Sequence, residues 1–185
     1  MIKALSLAPQ HAAAHALLGV AQIITNRAAQ GIAECEQALA LDRNLAGAYA
    51  CIGLAKYLLG RAAETEAHIH EALRLSPRDI GAYWWMMFLG NAKSFLGADA
   101  EAVVWLRRSI DAHRNLPFTH FNLAAALAQL GHLDEAQAAA RAGLALDPSF
   151  TLRRFRLNPP SDNPTFLAGR ERIYEGLRLA GVPEG

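Results

Sequence analysis

A chain of 185 residues, 52% of them hydrophobic, has the size of one domain or one short repeat array, and its abundance of alanine favours closely packed helices. Charged residues make up 19%, with 18 basic against 17 acidic side chains and a net charge of +1. Such a balance supplies no global field for nucleic acid or an anionic membrane, so any partner is recognised by a local surface.

Met1 to Pro9 holds one lysine and no sustained apolar run, and does not read as a signal peptide. From there a pattern recurs. A leucine-like residue precedes a tiny one at Leu18-Gly19, Ile52-Gly53, Leu89-Gly90 and Leu123-Ala124, spaced by 34, 37 and 34 residues. Asn26, Gly60, Gly97 and Gly131 follow at one common offset and suit helix ends. Small residues return at Gly31, Thr65, Ala102 and Ala136, then at Ala38, Ala72, Ser109 and Gly143. The units close near Arg43, Pro77, Arg114 and Pro148. Small residues at fixed helical positions let backbones approach, and Leu17, Leu73, Leu106, Leu123 and Leu144 fill the space between. Asp99 and Asp134 can open second helices, and Pro117 suits a first helical turn. No stretch alternates with period two for long enough to argue a strand. Ile80 to Leu89, the most apolar stretch, spans about 15 Å as a helix at roughly 1.5 Å per residue, half a bilayer.

This spacing resembles the tetratricopeptide repeat, a 34-residue helix-turn-helix unit. The resemblance implies an all-α fold, a right-handed superhelix (α-solenoid) of repeats at 12–45, 46–79, 83–116 and 117–150, with residues 80–82 inserted before the third. Arg43 and Arg114 stand where the motif closes on proline, and Cys35 and Ala140 replace large apolar residues. Ala4, Leu5, Leu7 and Pro9 match the tail of a repeat, so residues 1–11 read as the second half of a preceding unit, and the chain as a fragment of a longer protein. A half-repeat leaves an apolar face uncovered.

After Phe150 come Thr151 to Leu157, a loop from Asn158 to Pro164, and a last helix from about Thr165 to Leu179. Phe166, Ile173, Leu177 and Tyr174 form its apolar stripe, so 151–185 read as a loop and a capping helix over the last repeat. This ending, with Tyr83-Trp84-Trp85, Phe88-Leu89-Gly90, Ala102 to Arg108 and Glu175 to Glu184, resembles the C-terminal tails of bacterial class III adenylate or guanylate cyclases, and secondly of winged-helix regulators.

In this family the first helix of each unit lines a concave groove. The resemblance places Val20, Ile23, Leu54, Tyr57, Trp84, Met87, Asn91, Phe95, Phe118 and Phe121 there as partner-binding residues. The mapped positions include no lysine or arginine. Family members that grip a C-terminal carboxylate use such donors, so no carboxylate clamp is expected. An apolar, aromatic groove suits an amphipathic helix or an extended apolar segment.

The implied function is a non-catalytic, cytoplasmic interaction scaffold for a protein or peptide, serving as the regulatory tail of a larger signalling protein. The alternative is a homodimer formed through the groove or the N-terminal half-repeat. No catalytic residues, cofactor, metal, nucleic acid or membrane partner is expected. There is no glycine-rich phosphate loop and no G-x-S-x-G. The pairs His11/His15 and His68/His70 lack a completing ligand. Cys35 and Cys51 read as buried reduced thiols, and Arg153, Arg154 and Arg156 as a solvated helix end.

Overall fold

The computed structural model describes residues 10–185, all helices and turns with no strand among them. Among the described residues ten α-helices follow one another: α1 (Ala12–Ile23), α2 (Ala28–Leu41), α3 (Ala46–Leu58), α4 (Thr65–Leu75), α5 (Ala82–Phe95), α6 (Asp99–Ala112), α7 (Pro117–Gln129), α8 (Leu133–Leu146), α9 (Leu152–Leu157) and α10 (Pro164–Leu179). The first eight pair as α1/α2, α3/α4, α5/α6 and α7/α8, and each pair packs on the next. The fold is an α-solenoid of helical repeats. Most of the half-repeat read at 1–11 lies outside the described residues.

Tiny residues sit where the backbones close together. A Cβ built on Gly19 would fall 2.6 Å from Cys35 Sγ, and one on Gly90 2.6 Å from Leu106 Cγ. Gly53 faces Ile69, and Ala124 is fully buried. Each first helix ends on a residue in the left-handed region: Asn26 (φ 60°), Gly60 (φ 73°), Gly97 (φ 74°) and Gly131 (φ 79°). There the chain reverses into the second helix, a conformation that glycine adopts without steric cost. Thr65 and Ser109 occupy small-residue positions and satisfy their hydroxyls by donating to carbonyls of the first helices, Gly53 O at 3.2 Å and Tyr83 O at 2.7 Å.

Two details depart from the sequence reading. The second helix of the second pair is entered through a 3-10 turn, Ala62–Glu64. Of the extra residues 80–82, Ala82 already belongs to α5, while Ile80 in the preceding turn is 94% exposed. Asp99 opens α6 as its first residue, as its type suggests, and its carboxylate pairs with Arg172 of α10.

The C-terminal segment departs most. The sequence places it as a cap over the last repeat, and α10 does pack on α7, but it continues onto α5 and touches α3. From α8 the chain turns at Phe150, makes the short α9, and crosses to the second repeat. Ser161 Oγ donates to Leu58 O at 2.8 Å there, and Asn163 caps α10 by accepting from Thr165 N and Phe166 N. The helix then returns along the first-helix face. Phe166 packs edge-on to Tyr57 at 5.3 Å, Gly169 meets Phe95, and Gly176 meets the backbone of Ala125. Arg172 binds both Ser94 O and Asp99, while Gln129 Nε2 donates to Arg172 O at 2.9 Å. Phe166, Ile173 and Leu177 are buried, each contributing roughly 2–3 kcal/mol of apolar transfer.

Candidate functional site

α10 lies across the first helices, and α9 packs beside it, with Arg170 over Phe155 and Arg156 paired with Glu171. A cavity of about 620 Å³ remains between α3, α5 and α7 on one side and α9, its following loop and α10 on the other. The first helices supply Leu54, Tyr57, Leu58, Trp84, Met87, Phe88, Asn91, Phe118 and Asn122, and Ile24 adds to the wall from the end of α1. The stretch from the end of α8 onward supplies Asp147, Phe150, Arg154, Phe155, Asn158, Pro160, Phe166, Arg170 and Ile173. The walls are therefore aromatic, and the rings touch one another: Trp84 stacks on Phe88 at 6.0 Å and Phe118 meets Phe150 edge-on at 6.2 Å.

Six of the ten positions expected in the groove line this cavity: Leu54, Tyr57, Trp84, Met87, Asn91 and Phe118. Four are elsewhere. Ile23 is fully buried toward Gly31 of its own pair, and its neighbour Ile24, about 100° around the helix, takes the cavity-facing place. Phe121 is 1% exposed, stacks on Phe150 at 3.8 Å and fills the space left by Gly143. It is a core residue. Phe95 is covered by Gly169 and Phe166 of α10. Val20 is half-buried on α1 outside the cavity.

The cavity also contains groups that the first helices could not have announced. Arg170, 8% exposed, spreads its guanidinium over the Phe155 ring at 3.8 Å and donates to Phe155 O at 2.5 Å. Burial pulls its pKa below the ordinary arginine value, opposed by Tyr57 and Glu171. Burial likewise pushes the Tyr57 phenol up, opposed by Arg170. Arg154 stands at the wall but is engaged with Ser149 Oγ at 2.5 Å and Asp147 at 3.6 Å. The mapped first-helix positions carry no cationic donor; the arginines of the cavity come from the segment after the repeats, which that mapping did not cover. One signal was present in the sequence. Arg170 falls on the stripe of Phe166, Ile173 and Leu177, where a solvated arginine does not belong.

The remaining flagged residues have local duties. His11 caps α1 by accepting from Ala14 N at 3.2 Å, and His15 lies 2.7 Å from Glu34. Arg156 pairs with Glu171 at 2.5 Å and lies over the Tyr174 ring. Cys35 and Cys51 are free thiols, with Cys35 buried. No helix among the described residues is long and apolar enough to cross a membrane.

Fold and site together define a helical-repeat solenoid with an aromatic cavity on its first-helix face. Residues 117–150 match the family described as the tetratricopeptide repeat. Similar solved structures include YrrB, described as a tetratricopeptide protein with an unusual peptide-binding site, at 22% identity over 97% of this chain and 89% of that one, TM-score 0.66. PilF of Pseudomonas aeruginosa shares 21% identity over 94% of this chain and 77% of its own, TM-score 0.73. A thermophilic tetratricopeptide protein of Thermus thermophilus shares 20% over 95% and 86%, TM-score 0.67. At these identities the likeness is one of fold. Comparison with curated proteins gives no match.

Proposed function

We propose that the chain is a non-catalytic interaction scaffold that holds a peptide or protein segment on the face of its first helices, with apolar and aromatic anchors seated at the cavity. The observation that carries this reading is the packing of α10. An amphipathic helix of this chain already lies on α7 and α5 through Phe166, Ile173 and Leu177, so the face has the shape and polarity for apolar helical anchors. Leu54 and the 48%-exposed Phe118 leave apolar surface beside it. The peptide-binding site named for YrrB supports the same use of the fold. The likeness of Tyr83–Gly90, Ala102–Arg108 and Glu175–Glu184 to cyclase tails extends the proposal to a segment serving an attached signalling domain.

Selection from a random peptide library displayed on phage tests the scaffold reading. Enriched sequences should carry paired aromatic or leucine anchors, and their binding should fall at least several-fold for Phe118→Ala and Leu54→Ala with unchanged far-ultraviolet circular dichroism. Absence of any enriched motif overturns it. So does a concentration-independent dimer by sedimentation whose dissociation follows the same two substitutions, which would assign the face to a second copy.

A further inference from the structure

Apolar anchoring leaves two buried groups of the cavity unanswered. Arg170 is 8% exposed, and among the described residues no carboxylate pairs with its guanidinium. The acidic groups around it are committed elsewhere: Glu171 to Arg156 at 2.5 Å, and Asp147 to Ser149 Oγ at 2.6 Å and to Arg154. One backbone carbonyl and one aromatic face are its partners. A buried cation left without a counter-charge is costly, and a polar group enclosed without a hydrogen bond is costly too. Asn91 is the second such group. It is 8% exposed, lines the same cavity, and its Oδ1 is enclosed without a hydrogen-bond partner.

We infer that the cavity is a binding site for a free aromatic carboxylate that also bears an N–H or O–H: the carboxylate accepts from Arg170, the ring lies among Tyr57, Trp84, Phe88 and Phe118, and the donor reaches Asn91 Oδ1. A carboxylate matches the forked guanidinium in shape and carries the single negative charge that one unpaired cation balances. A phosphate dianion would call on a second cation, and Arg154 is held by Asp147. A neutral ligand would bury Arg170 without an anion, and a cationic one would repel it. The volume, about 620 Å³, falls in the range of small-molecule sites, roughly 300–1,000 Å³ with mostly apolar walls and a few placed polar groups.

This site goes beyond peptide capture and stands independently of it, because the free acid needs no partner segment. Calorimetric titration of the full chain with indole-3-propionate tests it, since that probe has a carboxylate, an aromatic body and one N–H. Saturable one-to-one binding is expected, weakened roughly tenfold or more for the uncharged indole-3-propionamide and for the Arg170→Met variant. Removing an unpaired buried charge should leave the melting temperature of that variant unchanged or higher, whereas a purely structural arginine would lower it. Asn91→Leu should weaken the indole acid but not 3-(1-naphthyl)propionate, which has no N–H. The inference is overturned by absence of saturable binding to the wild-type chain, by equal binding of acid and amide, by an Arg170→Met variant that binds like wild type, or by peptides with a C-terminal aromatic residue binding where the free acid does not.

Discussion

Gly176 of the last helix lies directly on the backbone of Ala125 in α7: a Cβ built there would stand 2.6 Å from the Ala125 carbonyl oxygen and 2.8 Å from its Cα. Backbone cannot retreat as the tip of a side chain can. Gly176→Val should therefore lift α10 from the first-helix face, at a cost of about 1–3 kcal/mol or more. Urea unfolding measures the loss, and limited proteolysis should show faster cleavage in the Asn158–Asn163 loop. Equal stability would mean that α10 is not seated as described.

Two glycines of the repeat motif should respond unequally. Around Gly53 the nearest atoms to an added Cβ are side-chain carbons at 3.1–3.3 Å, whereas at Gly90 Leu106 Cγ stands at 2.6 Å. Alanine in a helix interior is favoured over glycine by about 0.5–1 kcal/mol. Gly53→Ala should come out within about 1 kcal/mol of wild type and Gly90→Ala clearly destabilised, as read by thermal unfolding of the two variants side by side.

Phe118 and Phe121 should separate in the same way. Phe121→Ala empties the core between α7, Gly143 and Phe150 and should cost about 3–5 kcal/mol. Phe118→Ala, at a 48%-exposed position on the cavity wall, should cost well under half of that. Chemical denaturation of both decides it.

Lys93 of α5 reaches Glu66 of α4 at 2.9 Å and Glu101 of α6 at 2.6 Å, joining three helices of adjacent pairs. The hydrogen bond from Lys93 holds Glu66 below the ordinary carboxylate range. A depressed folded-state pKa gives stability that is complete above the ordinary glutamate value, 4.5, and is lost as pH falls through the folded one. Melting temperatures between pH 7 and pH 3 should fall less steeply for Glu66→Gln than for wild type, and the two curves should converge at the acid end.

The repeats were legible because their signal is steric: tiny residues where backbones meet and turn-forming residues where each first helix stops, spaced in phase through the chain. The groove was legible only in part. Offsets along a first helix locate the face to within about a third of a turn, which does not separate Ile24 from Ile23. Phe118 and Phe121 differ by about 60° around α7, enough for the second to fall toward the space opened by Gly143. Phe95 was placed on the correct helix, but α10 covers it, and no spacing rule for repeats describes a helix outside them. Arg170 arrived by the same route, and its position on an apolar stripe was its only trace in the sequence.

The hydrogen bond from Ser161 to Leu58 joins residues 103 positions apart. Helical arrays ordinarily couple only adjacent units, so they can fray from an end and unfold piecemeal. Here the tail returns to the second unit and ties it to the fourth, holding the third on the way through Arg172 and Gly169. Melting of the second, third or fourth unit then costs the clasp that steadies the other two, which couples their unfolding beyond nearest neighbours.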